Sequence, residues 1–210
     1  MELFDAIKGR RSIRRFKDAP VKESDIVAII NAARKAPSPG NSQPWHFVVV
    51  KNKPLMKQMA EAVRNATDQL INWSRDEKAK KKLENYKKSY YTLFENAPVT
   101  IVVLTEPYIS DTETILKEQG FNQDEILLRR PLPGLQGVSA AIQNLLLAAH
   151  SFGYGTCWMT GPVIAVHEIV KMLDIKPPKY PIALIPIGIP DESPAERPRK
   201  GVEEIMSVIE

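Results

Sequence analysis

The sequence has a single cysteine, Cys157, and only three histidines, His46, His150 and His167. One thiol excludes an internal disulfide framework and any multi-cysteine metal centre. The histidines are too scattered to form a local metal-ligand motif. No apolar run is long enough to span a bilayer, and the opening MELFDAIKGRR carries acids where a secretory leader needs an apolar stretch. These absences lead to the expectation of a cytoplasmic protein with no metal and no membrane contact. A strong charge imbalance is also missing. Lys and Arg number 29 against 25 Asp and Glu, a net +4, which argues against nucleic-acid binding driven by phosphate contacts. Two familiar nucleotide devices are absent as well. There is no GxxxxGK[ST] loop, and the Gly-x-Gly of GYGTCW lacks a third glycine and leads into a strand, not a helix.

What is present is a soluble globular composition, 43% hydrophobic and 26% charged over 210 residues, enough for one domain covering 1–210. Leu3, Phe4 and Ile7 share a helical face that Gly9 ends. Ile26, Ile29, Ile30 and Ala33 recur at helical spacing, with Ser24 as candidate cap and Pro37 beyond the end. HFVVVKN, APVTIVVLTEP and YPIALIPIGIP read as buried strands. A lysine-rich helical stretch is expected from about 54 to 95, its charged part a solvated face because acids interrupt the lysines. Val138, Ile142, Leu145, Leu146 and Ala149 make a stripe broad enough for a central helix, which Gly153 is placed to stop. Residues 107–133 are the least patterned in the chain and form an excursion over the core. Alternating helices and strands give an α/β layered domain by default, with sheet direction not readable from the strands.

If an anion is bound, side chains and local backbone donors must hold it. In GRRSIRRFKD an extended backbone sends Arg10, Ser12 and Arg14 to one side, two guanidiniums and a hydroxyl suited to a phosphate. A loop with exposed arginines is the alternative. In PSPGNSQPW, Ser38, Asn41 and Gln43 are close enough to face one ligand, and their amides suit the edge of a heterocycle. An ordinary turn is the alternative there. In CWMTGP a glycine after a strand lets a backbone amide approach a flat ligand. Cys157, a small residue in an apolar strand, reads as packing and not as a nucleophile.

Taken in order, RRSIRRF, APSPGNSQPWHFVVV, AAIQNLLLAAHSFGYGTCWMTGP and PIGIPDESPAERPRK resemble the FMN-dependent nitroreductase family. The likeness covers most of the chain and is weakest between about 63 and 133. It implies an α+β fold, a three-layer sandwich whose mixed, mainly antiparallel sheet is flanked by helices. It also implies an intertwined homodimer with non-covalent FMN at the interface. By that likeness Arg10, Arg11, Ser12 and Arg14 are the flavin-binding run, with Arg10 and Ser12 at the phosphate and Arg14 near the pyrimidine edge, where it raises the reduction potential. Ser38, Pro39, Asn41 and Gln43 resemble a segment supplied by the second subunit. Trp158, Met159, Thr160 and Gly161 resemble the segment whose backbone faces the flavin ring. Arg199, with Arg197 or Lys200, resembles a C-terminal phosphate contact. The implied activity is ping-pong transfer from NADH or NADPH to nitroaromatics, quinones or related small electron acceptors, the flavin being the only reactive group. Reductive dehalogenation, flavin fragmentation and non-catalytic FMN binding are the alternatives. Some family members place polar pyrimidine-edge contacts just before the second strand, where this chain has KKSYYTLFENAP and none can be assigned. The 107–133 segment is expected to be either a lid over the ring or a dimer-stabilising arm.

Overall fold

The computed structural model describes residues 1–210. Its centre is set by two strands, β2 (Val99–Thr105) and β4 (Tyr180–Gly188), flanked by β1 (Trp45–Val50) and the two-residue β3 (Gly155–Thr156). The order is β1-β2-β4-β3, and every pairing among them is antiparallel. A single parallel bridge, Ser12 to Thr156, adds the extended N-terminal segment beside β3 and makes the sheet mixed.

All seven residues of β2 are buried, so its sequence shows no polar alternation, as expected of a strand covered on both faces. Side-chain alternation splits it cleanly. Ile101 and Val103 join Ala183, Ile185 and Ile187 of β4 in one core with α2 (Glu23–Ala33) and α7 (Pro133–Ser151). Val102, Leu104 and Leu184 join the opposite core with α3 (Lys53–Trp73) and α8 (Val166–Met172). The result is a helix–sheet–helix sandwich of α+β type. Each of the Val, Leu and Ile side chains among them contributes about 1.5–3 kcal/mol by burial.

Local chemistry accounts for the places where the elements differ from the sequence expectation. The lysine-rich stretch is two helices, because α3 stops at Trp73 and Asp76 caps α4 (Glu77–Ser89) by accepting from the Lys78 amide at 2.9 Å. Ser24 does not cap α2. It lies in the first turn, and the start of α2 is fixed instead by Tyr154, whose hydroxyl accepts from the Lys22 amide and donates to Asp25 at 2.7 Å. Within 107–133 the chain forms α5 (Asp111–Glu118) and α6 (Gln123–Arg129). Ser110 caps the first, and a reciprocal Asn122–Glu125 box caps the second. The first helix, α1 (Leu3–Gly9), buries Ala6 and leaves Leu3, Phe4 and Ile7 at least half exposed.

Candidate flavin site

Gly9 closes α1, and the chain leaves it extended. The Ile13 amide donates to the Thr156 carbonyl at 2.9 Å, and the Lys17 amide to Ile189 at 2.9 Å. Ile13 is buried against Gly155, where a β-carbon would come within 2.6 Å of it. With Ile13 turned inward, period two sends Arg10, Ser12 and Arg14 the other way. All three line one cavity of about 380 Å³, together with Arg11, Arg197 and Arg199. Lys200 is not part of that lining.

Five guanidiniums therefore surround one space, and Glu196 is the only carboxylate in its lining. That carboxylate pairs with Arg11 at 3.1 Å. Burial holds the Arg10 guanidinium below its ordinary pKa, and the charges of Arg11 and Arg199 push it further down. Arg14 Nε is buried with no partner, a state that costs about 1–3 kcal/mol when nothing else satisfies the group. Its Nη1 donates to the Ser12 carbonyl at 3.3 Å, and its Cζ lies 5.5 Å from the Tyr90 ring centre. Repelling cations and an orphaned donor are what a bound anion corrects. The donor set fits a phosphorylated, electron-rich cofactor such as FMN.

Glu192 positions this segment. Its Oε1 accepts from the Arg14 and Arg15 backbone amides at 2.5 and 3.1 Å, and its other oxygen lies 3.6 Å from Arg15 Nε. Cys157 lies beside the arginines: burial pushes its thiol up, while Arg14 and a Ser12 hydrogen bond pull it partly back. A thiol held in its neutral form is a poor nucleophile. His150 is close to Gly9, and burial, then Arg10 and Arg11, hold its imidazole below the usual range.

The chain continues from β3 past the arginines. Met159 exchanges both backbone hydrogen bonds with Leu184, at 3.1 and 2.9 Å, and is buried. Its neighbours Trp158 and Thr160 are exposed. Gly161 sits so close to Tyr91 that a β-carbon would fall within 2.3 Å of the ring. The region before β2 thus brings Tyr90 to Arg14 and Tyr91 to Gly161. Neither tyrosine was singled out by the sequence, and neither was Glu192. No local pattern marks them, since each acts across the fold.

Ser38, Pro39, Asn41 and Gln43 lie elsewhere. Their loop folds as a 3-10 turn with positive φ at Asn41 and Gln43, closed by the Gln43 amide donating to Ser38 Oγ at 3.0 Å. Asn41 and Gln43 are exposed. Ser38 and Pro39 pack on α7 beside Gly137, whereas Arg10 lies near the His150 end of that helix. Thirteen residues at the helical rise separate the two by roughly 20 Å. Within one chain the structure does not bring this loop to the arginines. Among the structure's His, Cys, Asp and Glu side chains no group is clustered to hold a metal, and no helix is long and apolar enough to cross a membrane.

Comparison with known proteins agrees with this geometry. A relative from Methanothermobacter thermautotrophicus described as a putative NADH dehydrogenase/NAD(P)H nitroreductase is 31% identical over 200 residues, 94% of this chain and 82% of its own. The crystal structure of a BluB-like flavoprotein from Clostridium difficile 630 superposes with a TM-score of 0.92 at 31% identity, covering 100% of both chains. An iodotyrosine deiodinase structure, bound to FMN and 3-iodo-L-tyrosine, shares the fold with a TM-score of 0.73 at 24% identity over 96% of each chain. The pattern that defines the Nitroreductase family matches residues 7–189, and the chain belongs to that family.

Proposed function

We propose that this protein is an FMN-dependent NAD(P)H oxidoreductase that works as a homodimer and reduces nitroaromatics, quinones or related electron-poor acceptors. The observation that carries the reading is the cluster of Arg10, Arg11, Arg14, Arg197 and Arg199 around one cavity, with Arg14 Nε buried and unpartnered. When bound, FMN supplies the redox chemistry, accepting a hydride from the nicotinamide and passing electrons to the acceptor. Binding, orientation and electrostatic tuning belong to the chain. Arg10, Ser12 and Arg199, with Arg197, would hold the phosphate. Arg14 faces the pyrimidine edge, where a fixed cation favours the form carrying more negative charge. The backbone from Trp158 and Met159 through Thr160 and Gly161 borders the ring. With the flavin as the only reactive group, one pocket serves donor and acceptor in turn, which is ping-pong behaviour.

Two observations support a dimer. The 38–43 loop is roughly 20 Å from its own arginines along α7, in keeping with the reading that Ser38, Pro39, Asn41 and Gln43 complete the site of the second copy. Leu3, Phe4 and Ile7, and at the other terminus Ile205, Met206, Val208 and Ile209, are exposed apolar side chains that a second copy covers.

The test begins with the absorbance of the purified protein. Flavin bands released by heat, and their bleaching by NADH or NADPH in a stopped-flow mix, are expected, followed by recovery on adding a quinone. A colourless protein that cannot be loaded with FMN overturns the reading. Bleaching with turnover of iodotyrosine but not of quinone moves the activity to dehalogenation, and bound flavin that no nicotinamide bleaches leaves a binding protein.

A further inference from the structure

Only two buried side-chain polar atoms in the chain lack a hydrogen-bond partner, and both are arginine Nε: Arg14 in the cavity above, and Arg130 in a different one. The second cavity, about 180 Å³, lies between the exit of β2, helices α5 and α6, and the start of α7. It shares no lining residue with the arginine cavity, and nothing in the proposed oxidoreductase chemistry uses it. We propose that it is a separate binding site for a small monocarboxylate with a hydrocarbon body.

Arg130 is fixed in place before any ligand arrives. Its amide donates to the Ile126 carbonyl at 2.7 Å, and its Nη2 donates to Ser110 Oγ at 3.1 Å. The chain then turns through Leu132, at φ +49°, into Pro133 and α7. Ser110 therefore takes up Nη2, one member of the side-on donor pair, and leaves Nε, the other member, for a carboxylate oxygen. No carboxylate of the chain lies within ion-pair distance of it. The two acids that line the cavity are already engaged, Glu113 with Lys117 at 2.7 Å and Glu106 with Lys179 at 4.0 Å.

The same two acids decide the class of anion. They disfavour a multiply charged phosphate but leave a single negative charge acceptable beside Arg130. Thr105 and Gln123 are the neutral polar residues of the lining apart from two tyrosines, and Ile109, Ile126, Leu127 and Leu135 give it an apolar part, which suits a ligand with a hydrocarbon body. The volume admits a molecule of short-chain fatty-acid or benzoate size. Placement matters as well. Tyr108 lines this cavity and also stands beside Gly40 of the 38–43 loop, so an occupant touches the element proposed to complete the neighbouring flavin site.

The probe is isovalerate, an aliphatic carboxylate that has no ring to stack on a flavin, with isovaleramide as its neutral counterpart. Titrated calorimetrically into the protein loaded with FMN, isovalerate is expected to saturate at one equivalent per chain, and isovaleramide to bind about tenfold or more weakly. Arg130→Met should lower isovalerate affinity by about tenfold or more and erase its advantage over the amide. Leu127→Trp, at a partly exposed lining position, fills the cavity while keeping the guanidinium, and decides the matter if Arg130→Met does not fold. The flavin absorbance band should not move during the titration. Absence of saturation by about 50 mM, equal binding of acid and amide, or binding that survives both substitutions would each overturn the proposal. So would binding that shifts the flavin band and survives Arg130→Met, since it places the carboxylate at the cofactor.

Discussion

Two basic segments dominate the charge of this chain, and the fold treats them in opposite ways. Helix α4 carries six lysines in thirteen residues and buries none of its side chains. Lys80 pairs with Glu77 and Lys87 with Asp68, Lys82 lies over the Tyr86 ring, and Lys78, Lys81 and Lys88 are exposed. The 10–14 segment has fewer cations, yet its arginines share a cavity with two more from the C-terminal tail, and Arg14 has a donor out of reach of any acceptor. A cation that is solvated or paired needs nothing further, whereas crowded and desolvated cations have free energy to gain from a ligand. The number of cations therefore ranks the two segments wrongly, and desolvation ranks them rightly.

The comparison can be tested from either side. The largest effect is expected from Arg10→Ala combined with Arg199→Ala, which should weaken FMN binding by about 100-fold or more in a fluorescence titration. If that double variant keeps its flavin, the contrast fails. Arg14→Met should leave more of the FMN affinity intact while slowing flavin reduction by about tenfold or more and lowering the measured potential. Glu192→Gln keeps an acceptor oxygen but removes the charge that two consecutive amides share. A loss of about 1 kcal/mol in urea unfolding is expected, with a smaller loss of flavin affinity.

His150 should give a weaker effect with a defined sign. Its folded pKa is depressed, chiefly by burial and then by Arg10 and Arg11, so on acidification the unfolded chain takes up the proton first. Stability is then present above the unfolded value of about 6.5 and falls as pH drops through that value toward the folded pKa. His150→Gln should flatten that part of the stability–pH profile. At the bottom of the scale, Lys78→Gln, Lys81→Gln and Lys88→Gln together should change FMN affinity by less than about twofold. A large loss there would give α4 a role in binding.

Much of the fold was legible because its core elements announce themselves locally. The uninterrupted apolar runs of β2 and β4, the broad stripe of α7 and the stop at Gly153 need no distant partner to be recognised. The alternation that turns Arg10, Ser12 and Arg14 to one side was equally readable, since Ile13 is the only apolar residue among them. The split between α3 and α4 was less visible because it rests on one short cap at Asp76, set in a run of good helix formers. The capping signals SDTE and NQDE within 107–133 were present in the sequence but outweighed by the weak apolar pattern around them. Tyr90, Tyr91 and Glu192 could not have been found this way. Each meets its partner only after β2, β4 and the N-terminal segment are aligned, and pairing across such distances in sequence leaves no trace in either stretch alone.

Helix α7 acts as a spacer, with the arginine cluster near one extremity and the amide-bearing loop at the other. On the proposed assembly, no isolated subunit can then possess a finished pocket, and two finished pockets appear at the instant two subunits meet. Release of flavin on dilution, read as a rise in its fluorescence, should accordingly depend on protein concentration, and subunits separated by a denaturant should release both prosthetic groups in one step.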